Sequence, residues 1–193
     1  MPVPLVHRTI VRTRQQPVIR PVQCHEGDAV VDAVFAGLSA RSRFLRFHSP
    51  IPRLPATVRE KLAAVDGRRH AAVVAQVREA DGATTTIGVA RVIGDGRGRA
   101  ELAVAVVDDW QRRGIGRRLL AAVADLAETI GYTELVGTVV PENVGMLALA
   151  RRLFPGVRPR YDGEAVQLVI PLGAAAWTIT HEDLMADLLA SAF

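Results

Sequence analysis

From Val106 to Leu120 the chain reads VVDDWQRRGIGRRLL, an apolar strand end, an acidic and aromatic corner, and then two glycines among four arginines. A strand pattern precedes these glycines and a helical pattern follows them, which places them at a strand-to-helix turn. The first N–H groups of a helix have no intrahelical acceptor, and the helix dipole adds partial positive charge at the same end. Gly114 and Gly116 lack Cβ atoms, which lets the main chain turn tightly and come close to a ligand. Arg112, Arg113, Arg117 and Arg118 raise the local potential, and one or two can reach a further phosphate. Such a loop suits a pyrophosphate. A P-loop would need Lys-Ser/Thr after its glycine, where Arg117 and Arg118 stand, and a dinucleotide fingerprint would need a third glycine where Leu119 stands.

Other chemistry-bearing residues are more scattered. Cys24 lies beside His25, but adjacent side chains at the start of a helix rarely face each other and no third orienting group is evident, so nucleophilic catalysis is not expected. His7, His48, His70 and His181 make no metal-ligand spacing, and ordinary packing or surface roles are expected for each.

The elements that must position the loop alternate along the chain. Pro17–Val22 reads as a first strand, and Val30, Val31, Val34 and Leu38 sit at helical spacing after it. A short helix over Ala40–Phe47 is broken by Pro50 and Pro52, and a third helical piece runs from Ala56 to Ala64. Arg43, Phe44, Arg46 and Phe47 in the short helix are read as Phe inward and Arg outward, with direct substrate contact as the alternative. Three strand-like runs begin at His70, Thr84 and Ala100, parted by ADGA and GDGRGR turns, and should form an antiparallel meander. The period then changes: Ile115, Leu119, Leu120, Val123, Leu126 and Ile130 line one face of a helix that ends at Gly131. YTELVGTVV reads as a strand, PENVGMLALARRLF as a helix with Asn143 in its first turn, and EAVQLVIPL as a last strand. The sum is a mixed α+β domain over residues 17–172, with a flexible leader over 1–16 and a helical tail over 173–193 in which Thr180 and Asp183 form a capping box.

The pattern Gln111-x-x-Gly114-x-Gly116 after a strand resembles the pyrophosphate loop of the GNAT superfamily of N-acetyltransferases, and the similarity extends from Val18 to Leu172. LSARSRFLRFHSP (Leu38 to Pro50) and RAELAVAVVDDWQRRGIGRRLL narrow it to the acetyltransferase domain of bacterial protein lysine acetyltransferases of the Pat type. The resemblance implies a GNAT-like fold, a mostly antiparallel central sheet flanked by helices on both faces. It implies acetyl-CoA as co-substrate, with Gln111, Arg112, Arg113, Gly114, Ile115, Gly116 and Arg117 around the pyrophosphate. By the same resemblance Val106 and Val107 hydrogen-bond the pantetheine arm, a backbone donor near Val107 meets the oxyanion, and Asn143 contacts the cofactor, although a helix-capping role is the alternative for Asn143.

An alkylammonium acceptor with a pKa near 10.4 is protonated at neutral pH, and freeing its amine costs roughly 4 to 5 kcal/mol. Glu101 is the candidate base: it resembles the glutamate this group carries there, and alternation puts it on one face with Ala103 and Ala105, whose small size leaves space beside it. An exposed glutamate paired with Arg99 is the alternative reading. Many relatives place a Tyr acid seven residues after the motif Asn, but Ala150 stands there, so the acid for the CoA thiolate is unassigned. The expected function is direct acetyl transfer to a primary amine, either a protein lysine or a small molecule, with a non-catalytic acyl-CoA sensor as the alternative. The acceptor side, Arg41–Pro55 and Val157–Gly163, is rich in Arg and suits an acceptor bearing a carboxylate.

Composition agrees with that class. At 193 residues and 49% hydrophobic, the chain has material for one full core, and its 24 basic against 20 acidic residues favour an anionic ligand. No basic stripe interleaved with aromatics points to nucleic acid, and no apolar run reaches the roughly 20 residues of a membrane span. The lone Cys24 and the broken N-terminal pattern lead to an expectation of a cytoplasmic protein without a metal site. Leu184, Leu188 and Leu189 in the tail need burial, either in a homodimer or against the same chain.

Overall fold

The computed structural model describes residues 16–173, so the leader and the tail, with their proposed capping box, leucines, His7 and His181, lie outside the described residues. The strands are β1 (Val18–Pro21), β2 (His70–Arg78), β3 (Thr84–Gly94), β4 (Arg99–Val106), β5 (Glu134–Val139), β6 (Arg158–Tyr161) and β7 (Val166–Pro171). They form one sheet in the order β1-β2-β3-β4-β5-β7-β6. Every neighbouring pair is antiparallel except β4 and β5. The helices are α1 (Gly27–Ala36), α2 (Ala40–Phe47), α3 (Ala56–Ala63), α4 (Ile115–Ile130) and α5 (Val144–Leu153). The α+β architecture expected from the sequence is the one observed, including the β2–β3–β4 meander.

The apolar stripe of α4 explains its placement. Leu119, Leu120 and Val123 are fully buried against Ala90, Val92 and Leu102, which share one face of β3 and β4. The opposite face of the same strands, through Val89 and Ala105, packs against Val30, Val34 and Leu38 at the α1 side. Helices thus cover both faces, and β2 and β3 each bury seven residues, on both sides of the sheet, as a two-sided sheet requires. Gly37 ends α1 where a Cβ would stand 2.6 Å from a Val107 methyl, so only glycine lets α1 seat on the end of β4. One strand was missed by the sequence reading: Arg158–Tyr161 has four residues, three of them exposed, and pairs only with β7 at the sheet edge. A short edge strand carrying a proline has no alternating pattern to betray it.

The pairing of β4 with β5 stops early. It covers only Arg99–Glu101 against Glu134–Val136, while β4 continues to Val106 and β5 to Val139. Beyond Glu101 the two strands part, and the opening between them is the entrance to the site.

Candidate active site

Two clefts meet at this opening. The first, about 490 Å³, is walled by Val104 and Val106 of β4, by Gln111, Arg112, Gly114, Gly116 and Arg117 at the start of α4, and by Asn143, Gly145, Met146 and Leu149 of α5. The second, about 360 Å³, runs from Glu101, Ala103 and Val104 across to Gly137, Thr138 and Val139. Arg46, Leu45, Val104, Asn143 and Met146 border both.

The loop before α4 is held open by its backbone. Gly114 is the N-cap with φ of +78° and offers no side-chain cap, and Arg112 adopts a φ of +59°, which an L-residue rarely takes. Left-handed residues spaced along a turn aim their amides into a common concavity, and strain of this kind marks sites where a ligand is held. The first helical amide bond donated here is Arg118 N–H to Gly114 C=O. Among the described residues the amides of residues 112–117 have no acceptor. Gly116 needs no special φ, and its missing Cβ would meet only Leu149 Cδ2 at 3.5 Å and Val106 Cγ2 at 3.9 Å, so the protein's own packing does not demand glycine there.

Several expected contributors turn out differently. The amide of Val107 donates to Ile87 C=O at 2.9 Å, so Val107 cannot serve as a free donor. Bonding alternates along an antiparallel pair, so this bond turns the N–H groups of Val104 and Val106 away from β3 and into the opening, one residue from the expected place. Gln111 borders the cleft, but its side-chain NH₂ is engaged by Val106 C=O at 3.0 Å, Ser42 Oγ at 3.1 Å and Asp108 Oδ1 at 3.2 Å, and its N–H by Asp108 C=O. Gln111 is therefore a brace between loop and α2 rather than a ligand donor. Asp108 completes the knot: burial pushes its carboxyl up, yet hydrogen bonds from Ser39 and Ser42 outweigh that and leave it below its usual value. The guanidinium of Arg113 stacks over Trp110 at 5.0 Å and Ile115 is buried in the core, so neither lines the cleft.

Asn143 caps α5, its Oδ1 accepting from Met146 N–H at 3.2 Å, and also borders both clefts. Glu101 is exposed on the wall of the second cleft. It is not paired with Arg99, which bonds Glu134 at 2.8 Å instead. Tyr132 Oη donates to the carbonyls of Arg68 and Arg69, Tyr161 Oη to that of Gly163, and Ala150 is buried, so none of the three supplies an acid at the clefts.

Helix α2 departs from the Phe-in, Arg-out reading at Arg43, Phe44 and Arg46, while Phe47 packs inward against Phe35. Phe44 is 36% exposed, whereas Arg43 turns inward to Pro52 C=O and Phe35 C=O, and Arg46 reaches into the clefts. Arg91 of β3, unremarked in the sequence, is 4% exposed beside them. A hydrophobic-face reading cannot anticipate an arginine drawn inside by chemistry rather than by apolarity. Met146 and Leu149 were legible only as apolar positions of α5, not as a cleft wall.

Comparison with known proteins places this geometry. Residues 41–154 match the model of the acetyltransferase (GNAT) family. The GNAT domain of S. lividans PAT superposes with a TM-score of 0.68 at 24% identity, over 82% of this chain and 97% of that one. A phosphinothricin acetyltransferase from Sinorhizobium meliloti, in complex with AcCoA, gives 0.63 at 17% identity, over 86% and 94%. A cAMP-binding acyltransferase from Mycobacterium smegmatis gives 0.55 at 25% identity over 92% of this chain, which spans only 50% of that protein. With well over half its length matched by the family model, and the cleft between β4, α4 and α5 in place, this chain belongs to the GNAT family of acetyltransferases.

Proposed function

We propose that this enzyme moves an acetyl group directly from acetyl-CoA to a primary amine, on a protein lysine or a small molecule, with Glu101 as the base. The observation that carries the reading is the set of amides of Arg112, Gly114, Gly116 and Arg117, without acceptors among the described residues, at the mouth of a cleft that continues to Glu101. Those amides and Arg112 and Arg117 fit a pyrophosphate, since they offer donors and positive charge where no carboxylate of the described residues lines the cleft. The Val106 amide would meet the pantetheine arm in the cleft, which Asn143 also borders. Acetyl-CoA supplies the activated acyl group as a thioester. Glu101 removes the amine proton, directly or through a water, as the nitrogen forms its bond to the carbonyl carbon. The Val104 and Val106 amides, fixed by β4 and unpaired on that edge, oppose the charge that develops on the carbonyl oxygen at little cost in reorganisation. No side chain is assigned to protonate the departing thiolate, which takes its proton from solvent.

Replacing Glu101 separates this reading from a CoA sensor. Glu101→Gln should leave acetyl-CoA affinity unchanged by titration calorimetry while cutting turnover by about a hundredfold or more. An undiminished rate of CoA release would remove Glu101 from the chemistry.

A further inference from the structure

The acceptor side of the site holds more positive charge than a base and a cofactor require. Arg91 projects from β3 directly opposite Ala103, on the face that also carries Glu101 and Ala105. One of its Nη atoms donates to Leu62 C=O, and its guanidinium borders a small hollow of about 20 Å³ beneath Phe35, Phe47 and Leu54. Arg46 borders the same hollow and both clefts, its Cζ lying 5.0 Å over the ring of Phe47. Among the described residues Arg46 makes no hydrogen bond, and neither arginine has a carboxylate within ion-pair distance. Burial lowers the proton affinity of both, Arg91 to about 9 with Arg46 adding to the effect, while Glu101 acts on Arg46 in the opposite sense. A guanidinium in a protein stays a cation at neutral pH.

A buried Arg91 and a half-buried Arg46 with no carboxylate at ion-pair distance are expensive to hold, and they repel an ammonium entering the second cleft. Glu101 cannot neutralise them and still remain free to take a proton from the amine. What relieves both difficulties is an anion that arrives with the acceptor. We propose that the acceptor carries a carboxylate as well as its amine, and that the fork of Arg46, backed by Arg91, receives that carboxylate in the cleft where Glu101 meets the nitrogen. The hollow itself has room for about one water, so the carboxylate docks at its rim on Arg46 rather than inside it. An arginine fork matches a carboxylate in two parallel bonds, which gives orientation as well as attraction. This inference rests on the transferase reading above and narrows its acceptor to an amino-acid-like amine.

The test compares matched acceptors by CoA release: α- and ω-amino acids, each against its own carboxamide, with neutral lysine-containing peptides as a third arm. The amide of an α-amino acid has the less basic amine and is intrinsically easier to deprotonate, so a preference for the acid runs against reactivity. The expected result is kcat/KM about tenfold or more higher for at least one acid than for its carboxamide, since a charged hydrogen bond is involved. Arg46→Gln should bring that ratio towards one, and Arg46→Lys should keep part of it. Because the readout is a ratio within one variant, partial loss of folded protein does not disturb it. Equal or better use of the carboxamides, a ratio unmoved by Arg46→Gln, or neutral peptides outpacing every amino acid would each overturn the inference. Acetyl-CoA binding without turnover on any amino acid would also overturn it and leave the cofactor site standing, whereas failure to bind acetyl-CoA would sink the transferase reading itself.

Discussion

Gly114 and Gly116 lack side chains for different reasons, and substitution separates them. At Gly114 the left-handed φ of +78° penalises any Cβ, so Gly114→Ala should destabilise the fold by about 1 to 2 kcal/mol, read in urea denaturation. At Gly116 an added methyl meets only ordinary contacts inside the protein, so Gly116→Ala should leave stability unchanged or raise it by up to about 1 kcal/mol. The same methyl should weaken acetyl-CoA binding on the order of tenfold, because it stands between the ligand and amides that would otherwise close on it. Wild-type affinity in Gly116→Ala would mean that the anion does not approach the main chain there. Both glycines were legible as a loop in the sequence. The commitment of Gln111 to Ser42, Asp108 and Val106 was not, because Ser42 is 69 residues away in the chain and only folding brings its hydroxyl to the turn.

Helix α5 carries one wall of the cleft, and its first turn depends on Asn143. The side chain that caps the helix also borders the place where the cofactor arm is proposed to lie, so loss of the residue confounds two effects. Asn143→Ala should cost about 1 kcal/mol of stability through the lost cap. Asn143→Ser keeps a capping oxygen, so its stability should fall by only a few tenths of a kcal/mol. If Asn143 also touches the cofactor, acetyl-CoA affinity should fall in both variants. Should Asn143→Ser bind as tightly as wild type, the residue is a cap and nothing more. The helix itself was plain from apolar spacing, and so was its neighbour α4. That α4 and α5 face each other across a parted β4 and β5 could not be read from either, since register and splay are properties of strand pairs.

At the scale of the whole molecule, acid should weaken the fold in two stages. Burial, with Arg91 adding to it, holds His70 below its usual value of 6.5, so the unfolded chain takes up a proton that the folded chain resists, and stability falls as pH drops below about 6.5. Glu26 is held near 2 by Arg20 and the Gln23 amide, and Asp66 is lowered by the amides of His70 and Arg68. Their stabilisation is complete above the ordinary carboxylate range and is lost as pH falls through it towards the folded values. Urea midpoints measured from about pH 8 to about pH 2 should show both stages, and His70→Gln should flatten the upper one; an unchanged upper slope would show that His70 is not its source. The sequence by itself determined the order of the elements apart from the edge strand β6, the α+β class and the glycine turn before α4, because hydrophobic period, glycine placement and turn chemistry act over a few neighbouring residues. Only the tertiary structure decided that the Val107 amide is spent while that of Val106 faces the opening, that Phe44 turns outward, and that Arg46 and Arg91 converge beside Glu101. Those outcomes depend on strand register and on helices packed across a sheet, where residues distant in the chain share one dielectric environment and one set of hydrogen-bond partners.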